Sequence, residues 1–233
     1  NIAEPIRAYR AVLGSGTVSA VPQQKIEVPR QDLRQEITNL YNKLMTQVSP
    51  LLCRGIEDVL QRRKETFKPG GDFDFGVYAP INGFHRQIGS TQPAEHPARG
   101  TRSKLGEGML GFFHERKVAG YFSGGARQPN REGNRPVFDR RGNLLGEVPT
   151  LPMTDRWRTP GNSQWIYVRP IFEKSAANPW SDRVVGLFVM FAKADDADSL
   201  FKTEEFQQQV NSIATEVSPY LDAIQVLTGE EMV

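Results

Sequence analysis

The sequence predicts an α+β fold, in which a central antiparallel sheet of about 5–6 strands carries long N- and C-terminal helices on one face. Two amphipathic patterns, at 33–59 and 206–227, predict the helices because their apolar residues recur at steps of three and four. Short apolar or alternating runs between them, bounded by turn residues, predict the strands. We therefore predict one domain over residues 30–233.

The first helical pattern begins at Arg30, directly after Pro29. Ser49-Pro50 interrupts it, so we expect a kink or a division of the helix there. Its apolar positions are Leu33, Ile37, Leu40, Leu44, Val48, Leu52, Ile56 and Val59.

Four runs predict the main strands. Alternation over 73–80, then Asn82-Gly83, then 84–88, predicts a β-hairpin. Runs at 165–172 and 184–191 predict two further strands, and the second is apolar throughout, which is typical of a central strand.

The last helical pattern is a heptad over three repeats, and Pro219 interrupts it midway. Glu204 and Glu205 precede it and favour a helix start, because carboxylates stabilise the positive end of the helix dipole. Its apolar positions are Phe206, Val210, Ile213, Val217, Tyr220, Ile224 and Leu227.

The segment 123–164 is dense in glycine, proline and arginine and is treated as an insertion in the domain. Within it, 136–139 and 144–145 flank a turn at 141–143 and predict a small hairpin. Two interpretations stay open: the segment covers a site, or it is a tolerated surface insertion.

Charge and composition restrict the partners. The chain has 29 Lys+Arg and 27 Asp+Glu, and a formal charge of +2 does not by itself predict a nucleic-acid or anionic-membrane partner. We see neither a signal peptide nor an apolar run near the roughly 20 residues of a membrane span, so a cytoplasmic location is expected.

Cys53, the only cysteine, forms no intrachain disulfide or cysteine-rich zinc site.

Gly106, Gly108 and Gly111 have the G-x-G-x-x-G spacing of dinucleotide-binding loops. That motif must follow a strand, and residues 97–104 form no apolar run. We therefore expect no dinucleotide. The glycines instead predict a tight turn and the close passage of a short helix over the sheet.

From about residue 30 to 227 the chain resembles a GAF domain, a sensory module related to PAS domains. The resemblance rests on an opening helix, two hairpinned strands, the glycine-spaced helix start at 105–113, Val168-Arg169-Pro170-Ile171, Val184-Val185-Gly186-Leu187, and a last helix after Phe201. Each motif is short, and their order makes the resemblance specific.

Residues 1–13 resemble the last strand of class III adenylate/guanylate cyclase catalytic domains, and residues 14–29 are typical of a linker. The resemblance implies a regulatory piece of a cyclase that carries none of its catalytic or metal-binding residues. The alternative is an N-terminal strand of accidental similarity.

Histidine spacing argues against a metal site, since no pair among His85, His96 and His114 has the i, i+4 spacing of ligands on one helix face. We predict no catalytic residues, and His114 is expected at the surface near a helix end. The rival hypothesis is a small enzyme with the Arg-rich segment as a lid and His85 or His114 as general base.

The GAF resemblance implies a small-ligand cavity between the sheet and covering segments. Arg158 or Arg169 would bind a phosphate or carboxylate there, and Arg169 is the stronger candidate because a guanidinium on an apolar strand needs solvent or an anion. The alternative is that the aromatic residues only fill the core. The candidate lining is Phe75, Val77, Phe112, Trp157, Arg158, Tyr167 and Arg169.

Together these observations predict a non-catalytic sensory or regulatory domain that binds a small ligand or partner. It would form a homodimer through helices 30–65 and 203–227, because their apolar stripes exceed what one small sheet covers. It would control an attached signalling output such as a cyclase. A third hypothesis is a dimerisation scaffold without a ligand. The sequence does not identify the ligand.

Overall fold

The computed structural model describes residues 30–67, 73–95, 99–100, 102–123, 134–149, 165–174, 181–194 and 196–228. The chain divides into two units, residues 1–39 and 40–233. The first unit contains, among the described residues, only the start of the first helix. The predicted cyclase-like segment 1–13 and the linker 14–29 lie outside the described residues.

Four helices and eight strands make up the described chain. The helices are α1 (Arg30–Phe67), α2 (Gly108–Arg116), α3 (Ala197–Phe201) and α4 (Glu204–Thr228). The strands are β1 (Phe73–Ile81), β2 (Phe84–Ser90), β3 (Arg102–Lys104), β4 (Gly120–Ser123), β5 (Asn134–Phe138), β6 (Leu144–Pro149), β7 (Trp165–Phe172) and β8 (Val184–Ala192).

All eight strands form one sheet in the order β3-β2-β1-β8-β7-β4-β5-β6, and each described pair is antiparallel. The α+β class and the antiparallel sheet are confirmed, whereas the expected 5–6 strands are too few. The missed strands are β3, which has no apolar residue, and β4, which is only four residues long. Neither carries a detectable hydrophobic period.

The predicted hairpin inside segment 123–164 is present as β5 and β6, paired through Arg135 and Val148 among others. It extends the sheet beyond β4, so this part of the segment is structural. β8, predicted as a central strand, lies between β1 and β7, and all nine of its residues are buried.

The sheet has two covered faces. On one face, which we call the α4 face, α1, α3 and α4 pack on alternate residues of β1, β7 and β8. On the other, the α2 face, Leu110 and Phe113 of α2 pack on the intervening residues, such as Tyr78 and Val168. The long helices therefore share one face, as predicted.

Both long helices continue through their prolines, so of the two outcomes expected at Pro50, a kink or a division of α1, the division is wrong. A proline removes one backbone donor, but Ile56, Val59 and Leu60 still anchor the C-terminal half of α1 on the sheet. No helix of the described residues is long and apolar enough to cross a membrane.

The glycines of the G-x-G-x-x-G motif make a tight turn into α2. Gly106 and Gly108 have φ of +77° and +65°, which residues with a side chain rarely adopt. A Cβ on Gly111 would lie 2.4 Å from the carbonyl carbon of Gly106. The close contact is thus with the turn's own backbone and not, as expected, with the sheet.

Candidate functional site

Tyr167 and Arg169 are the two predicted ligand residues that the structure places in one cleft. We call it the arginine cleft: it has a volume of about 540 Å³ and lies on the α4 face. Because side chains alternate along β7, both residues point to that face, while Val168 points to α2. The cleft is lined by Val118, Ala119, Asp139, Arg140, Arg141, Leu145, Tyr167, Arg169, Glu204, Gln207 and Asn211.

The other described candidates do not line this cleft. Phe75 and Val77 are fully buried in the core of the α4 face, which agrees with the alternative that these residues fill the core. Phe112 lies on the opposite side of the sheet, half-buried beside Phe113 of α2. Trp157 and Arg158 lie outside the described residues.

Tyr167 joins the sheet to α4. Its ring is buried against Phe201 and Phe206, with centroids 5.4 and 4.9 Å away. Its hydroxyl donates to the Gln207 side-chain oxygen at 3.1 Å, and the Gln207 amide donates to the Phe201 carbonyl at 2.8 Å. Burial raises the pKa of Tyr167, with Arg169 opposing the rise, so the hydroxyl stays a donor.

Arg169 has an unpaired donor within the described residues. Its guanidinium lies close enough to Tyr167 to oppose the rise of that residue's pKa, and its own Nε is buried without a hydrogen-bond partner there. A buried N–H of a charged group is costly to leave unpaired. The position fits the sequence argument that Arg169 needs solvent or an anion.

The turn between β5 and β6 brings two more arginines to the cleft. Asp139 fixes this turn by accepting the backbone N–H groups of Arg141 and Asn143 at 2.7 and 2.8 Å. Burial alone would raise the pKa of Asp139, but the hydrogen bonds from Asn143 and Arg141 hold it below its ordinary value. Arg140 then extends to α4 and pairs with Glu204 at 3.1 Å.

Sequence reasoning missed the contributions of Arg140, Glu204, Gln207 and Asn211. A signal for the last three exists: they recur at steps of three and four along α4, beside the buried apolar stripe. Arg140 gives no such signal, because its role depends on where the β5–β6 turn lies in the sheet.

A second polar cluster lies on the α2 face. Nε2 of His85 is 3.0 Å from Nδ1 of His114, so one imidazole N–H donates to the other ring. His85 is fully buried, and its Nδ1 has no partner among the described residues. His114, expected at the surface, is half-buried because α2 turns it toward β2.

Both histidines are held neutral. Burial, and then the neighbouring His114, lower the pKa of His85 to about 4. Burial also lowers the pKa of His114, although Glu115 opposes it. Within the described residues, no group of three or more His, Cys, Asp or Glu side chains could hold a metal ion.

No protein-family model matches the chain. No curated protein matches it either. Among solved structures, the GAF domain of a phosphoenolpyruvate-protein phosphotransferase from Coxiella burnetii is similar at 16% identity and a TM-score of 0.49, covering 84% of this chain and 94% of that one. The corresponding Acinetobacter GAF domain has 12% identity and a TM-score of 0.48, covering 84% and 96%.

A third similar structure is a type II free methionine-R-sulfoxide reductase from Thermoplasma acidophilum. It has 13% identity and a TM-score of 0.47, covering 76% of this chain and 96% of that one. Similarity of this extent does not establish the family.

Proposed function

We propose that this chain is a GAF-like sensory or regulatory domain that binds a small ligand in the arginine cleft and passes the change to an attached output through its long helices. The observation that carries the proposal is that Tyr167 and Arg169 share the cleft with Glu204 and Gln207, in the first turn of α4. The order of helices and strands agrees with the order of the GAF-like motifs.

Ligand binding at this position would act on α4 directly. A ligand shifts an equilibrium only by its different affinity for two arrangements, and a coupling of about 1–3 kcal/mol suffices for regulation. A ligand that altered the contacts at the first turn of α4, where Tyr167 holds Gln207 and Arg140 holds Glu204, would have such a difference. The resemblance of residues 1–13 makes a class III cyclase our proposed output.

We further propose that a second copy of the chain packs along α1. The apolar stripe of α4 is buried on its own sheet, so it leaves little for a partner to cover. α1 differs: Leu40 and Leu51 are 67% and 62% exposed, and they fall at heptad positions with Leu33, Ile37 and Leu44. A heptad stripe is self-complementary, which favours a second copy as the partner.

The enzyme hypothesis has less support from the geometry. Among the described residues, His85 and His114 meet on the α2 face, whereas Arg140 and Arg141 of the Arg-rich segment border the arginine cleft. These arginines therefore line a different site from the two histidines. A histidine with a pKa of about 4 is also a weak general base at neutral pH.

A ligand screen tests the proposal. Thermal-shift measurements against cyclic nucleotides, amino acids and haem should give a saturable rise in Tm for at least one anionic compound, since ligands that bind only the folded state stabilise it. Arg169→Gln should abolish the rise. If Arg169→Gln left the rise in Tm intact, the ligand would bind outside the arginine cleft. If no compound raised the Tm, the hypothesis of a dimerisation scaffold without a ligand would be favoured.

A further inference from the structure

We infer that the arginine cleft binds a small organic oxyanion, and that the bound oxyanion replaces the Glu204 carboxylate as the partner of Arg140. This inference rests on the proposed ligand role of the cleft and adds the chemical class of the ligand and the contact that the ligand exchanges.

The charge of the cleft favours an anion. Three guanidinium groups border it, those of Arg140, Arg141 and Arg169, against two carboxylates, those of Asp139 and Glu204. Asp139 is already committed, because it accepts three hydrogen bonds from Arg141 and Asn143 that fix the turn. Of the described residues in the cleft, Glu204 is then the one carboxylate left to offset the arginines.

The donors suit an oxyanion. Guanidinium groups bind phosphate and carboxylate with paired N–H donors, and Arg169 has a buried Nε without a partner among the described residues. Asn211 offers a side-chain amide on the same wall. A volume of about 540 Å³ lies within the usual range for organic ligands of roughly 300–1,000 Å³, and Val118, Ala119 and Leu145 supply apolar surface for the organic part.

The Arg140–Glu204 ion pair is the contact that an anion would exchange. It joins residues on the β5–β6 turn and on α4 at 3.1 Å, and the two side chains are 50% and 69% exposed. Exposed pairs of this kind are weak, so a ligand anion competes for Arg140 at low cost. This exchange would release the β5–β6 turn from the N-terminal end of α4. The bond between Gln207 and Tyr167 would then be the remaining link between α4 and the cleft.

The experiment is a calorimetric titration of the full chain with three phenyl compounds of decreasing negative charge: phenyl phosphate, benzoate and benzyl alcohol. The two anions should bind and the alcohol should not. A preference for phenyl phosphate identifies a phosphate ester as the ligand class, and a preference for benzoate identifies a carboxylate. Arg169→Gln should weaken anion binding about tenfold or more, and Arg169→Lys, which keeps the charge, should recover only part of it.

A double-mutant cycle tests the exchange itself. Glu204→Gln should tighten binding of the preferred anion about two- to fivefold, since an exposed competing ion pair is worth that much. In the Arg140→Gln background the same substitution should change the affinity less than about 1.5-fold, because no pair is left to exchange. Glu205→Gln, its exposed neighbour outside the cleft, is the matched control and should leave the affinity unchanged.

The possible failures are distinguishable. Equal tightening by Glu204→Gln with and without Arg140 would show a general charge effect and overturn the exchange, while leaving the ligand role of the cleft intact. Binding of benzyl alcohol as tightly as the anions would overturn the oxyanion class. No binding of any probe to the wild-type chain would overturn both the inference and the proposed role of the cleft.

Discussion

At the scale of single residues, one hydrogen bond joins the imidazole rings of the fully buried His85 and the half-buried His114. One N–H suffices for the 3.0 Å contact between Nε2 of His85 and Nδ1 of His114. A charge on His85 would be buried with its Nδ1 unpaired among the described residues, and burial is why its pKa falls to about 4. Folding therefore favours the neutral pair.

We predict that this pair makes the protein less stable in acid. The pKa of His85 is lowered from 6.5 to about 4, so the unfolded chain takes up the proton first as the pH falls. The stability is present above pH 6.5 and is lost between there and pH 4, by about 3 kcal/mol. Urea denaturation at pH 7 and pH 4 measures it.

His85→Gln is the reference for that measurement, because glutamine hydrogen-bonds but does not titrate. Other carboxylates titrate in the same range in both proteins, so only the difference between the two curves reports on the imidazole. The variant should lose less stability than the wild type on acidification. If wild type and His85→Gln lost the same free energy of unfolding between pH 7 and pH 4, a buried neutral His85 would be contradicted.

The sequence identified part of the arginine cleft. The sequence predicts Arg169, because a guanidinium between Val168 and Pro170 on an apolar strand needs a polar environment. Arg140 and Gln207 could not be predicted as its neighbours, since they reach the cleft from the β5–β6 turn and from α4. Their meeting depends on strand order, which local patterns do not encode.

At the scale of elements, the turn into α2 shows why a motif must be read in its structural context. The glycine spacing is that of a dinucleotide loop, but the strand before it, β3, is a three-residue edge strand that pairs antiparallel with β2. Gly106 and Gly108 supply positive φ, and Gly111 lets the helix approach the turn. The hydrophobic period of the longer helices and strands predicts them from sequence, whereas β3 and β4 are too short to show one.

We predict that Gly111→Ala destabilises the fold. In an open helix, alanine in place of glycine would stabilise by up to about 1 kcal/mol. Here the new Cβ would lie 2.4 Å from the Gly106 carbonyl carbon. This contact is with backbone, which cannot move aside as easily as a flexible side chain. We expect a net loss of about 1–3 kcal/mol in urea denaturation.

Glu115→Ala, an exposed change in the same helix, is the control for Gly111→Ala and should stay within about 0.5 kcal/mol of wild type. If Gly111→Ala instead increased the free energy of unfolding, the close contact between helix and turn would be wrong.

At the scale of the whole molecule, the two long helices differ in what they leave uncovered. The heptad spacing of α4 favours a dimer stripe, but Val210, Ile213 and Val217 are fully buried on the sheet. Packing on a sheet and packing on a second helix both select apolar residues at three- and four-residue steps, so the pattern alone does not distinguish them. Within the described residues, α1 has Leu40 and Leu51 exposed on such a stripe, whereas α4 has no exposed leucine.

We predict that α1 governs the oligomeric state. The double variant Leu40→Lys and Leu51→Lys should shift sedimentation velocity from dimer to monomer without changing the circular dichroism spectrum, because lysines disfavour a coiled-coil seam. Leu144→Lys, which changes a 63% exposed leucine on β6, should leave the dimer intact. A wild-type monomer, or a dimer that survives the double variant, would refute the α1 interface.

The central claim is that a ligand acts at the junction of the arginine cleft and α4, and amide chemical shifts measured by NMR during a titration with phenyl phosphate test it most directly. We predict saturable shifts that cluster at 139–143, 167–169 and 204–211 and vanish in Arg169→Gln. Shifts confined to the α2 face around His85 and His114, or no saturable shift at all, would contradict the account.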